Sequence, residues 1–193
     1  NFGVFTRQKY ISSHYHILFY EKPGEKRTFN LESRYGLNEK TENEVYYIHY
    51  GDIHATYKSE LLDFGIETRA PFLKDEFCND NFNFLKEGDL VIADASEDYK
   101  GIGESIEIKN INNKKVIGGL HTLVIRDKAT KTSNGFRTYL FRNPNVHNEI
   151  KKLATGISVY GISKGNLSKL KLPLPPLPEQ RAIAACLCTW DNA

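Results

Sequence analysis

Residues 170–185 read Leu-Lys-Leu-Pro-Leu-Pro-Pro-Leu-Pro-Glu-Gln-Arg-Ala-Ile-Ala-Ala, an apolar segment that runs through four prolines into a helical pattern. Proline fixes φ and lacks an N–H, so residues 172–177 can form neither interior helix nor central strand and must be an extended connector. Pro178 suits the first helical position, and Glu179 places a carboxylate at the positive end of the helix dipole. Ile183, Leu187 and Trp190 then recur at helical spacing. The chain therefore passes abruptly from a folded body into a helix. Its expected divisions are a leading segment 1–30, a domain 31–172 and a junction with helix 173–193.

The body is large enough to fold without staples. Of 193 residues 40% are hydrophobic and 12% aromatic, which supplies a core without disulfide or metal. Cys78, Cys186 and Cys188 are an odd set at no framework spacing, and Cys186-x-Cys188 points its thiols apart on a helix. A reduced, cytoplasmic setting is the expectation. No apolar run approaches a membrane span, and no basic-then-apolar leader opens the chain. Methionine is absent and the helical pattern reaches Ala193 uncapped, so we expect a piece of a longer protein whose helix continues.

Net charge is only +2, but it is unevenly distributed. Residues 1–98 carry 11 Lys or Arg against 18 Asp or Glu, whereas residues 99–175 carry 14 against 4. A basic half is what a phosphate-neutralising surface requires. A protein-binding adaptor, for which the Leu-Pro junction and apolar helix face would also serve, has no need of it.

Short β-branched or aromatic runs bounded by Gly, Asn, Asp or Lys predict strands at 45–50, 89–93, 105–108, 115–117, 121–126 and 138–141. Asn134-Gly135 signals a hairpin between the last two. Asn143 and Pro144 cap a helix that turns Val146, Ile150 and Leu153 inward and ends at Gly156, and Ser163 caps a short turn through Leu167. The order implies an α+β fold. A curled, mostly antiparallel sheet with a few short helices precedes the start of a long C-terminal helix.

The Pro-Leu-Pro-Pro-Leu-Pro-Glu-Gln-Arg-Ala-Ile-Ala junction resembles that of specificity subunits of type I restriction-modification enzymes, where a target recognition domain meets a spacer helix. Tyr47-Ile-His-Tyr-Gly-Asp-Ile53, Gly88 to Ala95, Gly119 to Thr122 and Thr155 to Leu170 are similar to further segments of that family, in the same order. The resemblance covers residues 31–193. It implies one domain reading a half-site of double-stranded DNA, with no cofactor and no catalysis of its own. It also implies methyltransferase (modification) subunits bound near the spacer and, through the complex, a restriction translocase-nuclease subunit. Residues 1–30 are similar instead to a strand segment of amino-group DNA methyltransferases. They lack both the Asn/Asp-Pro-Pro-Tyr/Phe motif and a Gly-rich loop, so we expect a leading hairpin or fusion remnant without methyl transfer.

Candidate DNA-binding residues occupy turns: Lys58, Arg69, Ser96, Tyr99, Lys100, Lys114, Lys115, Lys128, Lys131, Asn134, Arg137, Ser158, Tyr160, Ser163 and Lys164. The Gly-flanked loops 96–100 and 158–164 are favoured, because Ser, Tyr and Lys there can conform to a groove. Candidate partner-binding residues are Pro176, Leu177, Glu179, Gln180, Ile183, Leu187 and Trp190. The sharpest rival is a Mg-dependent endonuclease using Asp94 (or Asp89), Glu107 and Lys109, an Asp…Glu-x-Lys order that holds a divalent ion in many nucleases. His14-x-His16 and His49-x4-His54 have no further ligands at zinc-like spacing, and Gly101-Ile-Gly103 reads as a turn rather than a phosphate loop.

Overall fold

The computed structural model describes residues 41–57, 59–79 and 81–191, with the backbone of two short strands before them. Lys58, and the readings of residues 1–30 apart from one of those strands, lie outside the described residues. The elements are β1 (Leu18–Tyr20), β2 (Tyr35–Gly36), β3 (Val45–Ile48), α1 (Tyr50–Ala55), β4 (Leu61–Asp63), β5 (Phe72–Leu73), β6 (Leu90–Ala93), β7 (Ala95–Ser96) and β8 (Ser105–Lys109). They continue with β9 (Lys115–Gly118), β10 (Thr122–Arg126), α2 (Arg137–Arg142), α3 (Pro144–Lys152), β11 (Tyr160–Gly161), α4 (Lys164–Leu167) and α5 (Leu177–Asp191).

A central sheet of order β1-β10-β6-β8-β4 is antiparallel except for the parallel edge pair β4–β8. A second sheet of order β2-β5-β3-β9 closes on the parallel pair β3–β9, and β7 pairs with β11. The central sheet is buried on both faces. Leu90 and Ile92 of β6 join Leu123, Ile125, Leu140, Phe141, Val146 and Ile150 on the helical side. Val91 and Ala93 turn to Ile48, Ile53, Ile106, Ile108 and Val116 on the other. Alternate residues thus feed two cores, which is why β6 reads as an unbroken apolar run.

The helices follow local chemistry where the cap lies in sequence. The Asn143 side chain accepts the Asn145 N–H with Pro144 in the first turn, and Ser163 accepts the Asn166 N–H. The strand expected through Tyr50 stops at Ile48. His49 Nδ1 accepts the Gly51 N–H while Asp52 accepts the His49 N–H, a reciprocal cap that starts α1.

The strand expected at 138–141 is instead the body of α2, and Asn134-Gly135 leads into that helix. The cause comes from β8. The fully buried Glu107 carboxylate accepts the Gly135 N–H at 2.6 Å and the Thr138 N–H at 3.1 Å, supplying the N-terminal acceptor that Phe136 cannot. Gly135 adopts φ 81°, the left-handed conformation that the entry requires.

The proline connector is not a bare linker. Leu170 and Leu172 are buried and Leu174 packs against the same core, whereas Lys169, Lys171 and Pro173 face outward, the alternation of an extended chain. The helix begins one residue early, at Leu177. No helix among the described residues is long and apolar enough to cross a membrane.

Candidate nucleic-acid interface

The two favoured loops meet. β7 and β11 pair antiparallel with Ser96 opposite Tyr160, and the Ile162 N–H donates to the Asp94 carbonyl at 2.8 Å. Tyr99 and Tyr160 pack edge to face at 5.3 Å, with Tyr99 about half exposed. Lys100, Ser158, Ser163 and Lys164 are exposed around this ribbon, while Ser96 is buried and its hydroxyl accepts the Asp98 N–H.

Other segments converge on the same end. His121, between β9 and β10 at φ 53°, places Nδ1 3.2 Å from Asp94 Oδ1. The Tyr50 ring lies against His49, His54 and His121, and His54 Nε2 is 3.4 Å from the Ala95 carbonyl. Between α1 and the 96–101 loop opens a cleft of about 580 Å³ lined by Tyr50, His54, Ser96, Lys100 and Arg142 among others. The end thus offers aromatic faces, imidazoles, hydroxyls and lysines, the groups that reach base edges and phosphates. Tyr50, His54 and His121 were not among the residues chosen from sequence. Their signal was present, since all three lie in or beside the Tyr-Gly-Asp-Ile and Gly-Leu-His-Thr segments.

The remaining candidates lie elsewhere. Lys128, Lys131 and Asn134 are exposed on the β10–α2 loop, and Lys115 is exposed at the start of β9. Exposed Arg69 chelates Glu67 and also donates to the Thr56 carbonyl; that pairing holds the Glu67 carboxyl below its ordinary range. Lys114 donates to the Phe64 carbonyl at 2.6 Å and lies over the Tyr46 and Phe64 rings. Arg137 requires correction. It is buried, donates to Glu107, Thr132 and the Gly88 carbonyl, and so reads no base.

Gln180 requires the same correction. It is buried; its Oε1 accepts the Ser133 N–H, and its Nε2 donates to the Lys131 and Pro175 carbonyls. It therefore latches α5 to the domain and does not face a partner. Of the other tail candidates, Pro176 and Leu177 are exposed, Glu179 and Leu187 are half-buried, Ile183 packs on the core and Trp190 is 79% exposed.

The nuclease cluster is not assembled. Both Glu107 oxygens are committed to α2, Asp89 is clamped by Arg126 Nε and Nη2, Asp94 faces His121, and Lys109 lies 3.8 Å from Asp63. A buried carboxylate already holding a helix terminus presents no oxygen to an ion and a water. The structure thus does not bring Asp94, Glu107 and Lys109 together as an ion-binding set.

Residues 28–193 match a family model described as the type I restriction modification DNA specificity domain. That match takes in most of the chain, and the chain belongs to this family. A putative type I restriction enzyme MjaX specificity subunit from Methanocaldococcus jannaschii is 33% identical over 107 residues, covering 54% of this chain and 24% of that protein. A structure described as the basis of complex assembly and conformational transition of the type I R-M system aligns with TM-score 0.51 at 18% identity, over 84% of this chain and 34% of the other. The type I restriction-modification S subunit from M. genitalium aligns with TM-score 0.43 at 17% identity, over 86% and 41%. The chain thus spans well under half the length of these relatives, and the TM-score of 0.51 shows a shared fold.

Proposed function

We propose that this chain is a target recognition domain with the start of its spacer helix, reading a half-site of double-stranded DNA as part of a type I specificity subunit and performing no chemistry itself. The observation that carries the reading is the meeting of loops 96–100 and 158–164 on β7 and β11, beside Tyr50, His54 and His121. Lysines there and along residues 151–171 supply phosphate contacts that set register, and the aromatic, imidazole and hydroxyl groups read base edges. The exposed Trp190 near the end of α5 offers an apolar anchor for methyltransferase subunits, with a restriction subunit joining through them.

Fluorescence anisotropy with duplex DNA, with and without methyltransferase subunits, tests this. Lys100→Ala and Lys164→Ala should each weaken binding and flatten the salt slope by about one where they touch phosphate. His121→Ala and Tyr50→Phe should alter sequence preference by about 1–3 kcal/mol at a base they read. Unchanged binding across the whole set would contradict the assignment.

A further inference from the structure

The segment 155–161 is a tight hairpin whose tip is apolar and open to solvent. Two hydrogen bonds between Thr155 and Gly161, 2.8 and 2.9 Å, close its base, and β11 fastens its second arm to β7. Gly156 turns the chain at φ 129°, where a Cβ would lie 2.0 Å from the Val159 carbonyl oxygen, so only glycine permits this turn. The two large apolar side chains of the tip, Ile157 and Val159, are 94% and 58% exposed. Neither contributes to a core. Holding two β-branched apolar groups in water on a braced turn gains nothing for folding and so points to an occupant.

The surrounding charge says which occupant. Residues 151–171 contain five lysines and no Asp or Glu, and the tip lies in the middle of that run. A segment of that composition repels a basic partner and draws a polyanion, and at the hairpin's root Tyr99 and Tyr160 add flat aromatic faces. Glu97 and Asp98 sit on the β7 side only, so the basic character belongs to the hairpin arm. An apolar tip carried on a lysine-rich segment fits a duplex, where lysines hold phosphates and an apolar side chain slides between stacked bases.

We infer that the 156–159 tip is a wedge: Ile157, supported by Val159, inserts between adjacent base pairs, unstacks that step and kinks the DNA. This rests on the DNA-reading function proposed above and adds a mode to it. Specificity then comes in part from how readily a step opens, which favours flexible pyrimidine–purine steps over stiff A-tracts.

The test uses the whole chain and a duplex recovered by it from a random pool, with 2-aminopurine replacing each adenine in turn. Binding should raise the fluorescence at one step only, and end-labelled duplexes should show shortened ends by energy transfer. Ile157→Ser and Val159→Ser should abolish both signals and weaken binding about tenfold or more, while leaving the melting temperature unchanged because both residues are exposed. Lys164→Ala should weaken binding yet keep both signals at saturation. Tight binding by the native chain with no fluorescence rise and no bend would overturn the wedge and leave DNA reading standing. Failure to select any duplex would overturn both. Loss of methyltransferase-subunit association or self-association in Ile157→Ser, with DNA signals intact, would reassign the tip to a protein contact.

Discussion

Glu107 ties β8 to the start of α2 through one buried carboxylate. It projects from β8 into the buried interior and there receives two amide N–H groups from the start of α2 and the guanidinium of Arg137, which itself touches Asp127, Thr132 and the Gly88 carbonyl. Truncation to Ala leaves Arg137 buried with a missing partner and should cost about 3 kcal/mol, since breaking one side of a buried pair is far more damaging than replacing both. Urea unfolding measures this. Burial holds the Glu107 carboxyl above the ordinary carboxylate range, with the Gly135 and Thr138 amides and Arg137 partly offsetting it. The folded state therefore keeps this proton more tightly than the unfolded chain. The resulting stabilisation is fully present below the ordinary carboxylate value and is lost as pH rises through the raised folded value. Glu107→Gln lacks that titration, so its stability difference from the native chain should change over this window and flatten above it.

At the scale of elements, one buried side chain, Gln180, joins the connector and α5 to the domain by hydrogen bonds, beside the apolar packing of Leu172, Leu174, Ile183 and Ala184. Gln180 makes two hydrogen bonds to the domain and a third to Pro175 of the connector, and Tyr139 donates to Asp191 near the other end of the helix at 2.5 Å. Gln180→Ala should cost about 1–3 kcal/mol by leaving an amide and two carbonyls unpaired. It should also loosen α5, read as faster proteolytic cutting after Lys171 with the domain itself intact. Elements whose determinants lie close in sequence were legible beforehand: α3 from Asn143-Pro144, α4 from Ser163, the connector from its prolines, β6 and β8 from their β-branched runs. Residues 138–141 were not, because their strand-like composition is overridden by a cap from Glu107, 31 residues before Thr138 on another element. Gln180 was misjudged for the related reason that an amide in a helical first turn has the same pattern whether it points to a partner or back to its own domain. Loops 96–100 and 158–164 were each favoured from composition, but their pairing through β7 and β11, and the placing of His121 and Tyr50 beside them, depend on distant strands converging, which no local window contains.

Across the whole molecule, the two oppositely charged halves of the sequence partly neutralise one another. Arg126 pairs with Asp89 and Arg142 with Glu60 across the halves, while Arg142 also meets Glu104 and Arg137 meets Glu107 within the basic half. The arginines of the basic half are thus spent on internal, geometrically demanding contacts, while most of its lysines stay at the surface as mobile point charges. Linear charge asymmetry overstated the basic surface, and the candidates chosen from it fall at three places: the β7–β11 ribbon, the β10–α2 loop and the β9 side. Sequence reading by the ribbon end is the central claim. Its most direct measurement is selection from a random pool of duplexes by the intact chain together with methyltransferase subunits, followed by the same selection with Lys100→Ala/Lys164→Ala/His121→Ala. The account predicts one enriched half-site motif with the native chain and its weakening or alteration with the triple variant. Enrichment of the same motif at the same strength by the variant, or of no motif by the native chain, would contradict it.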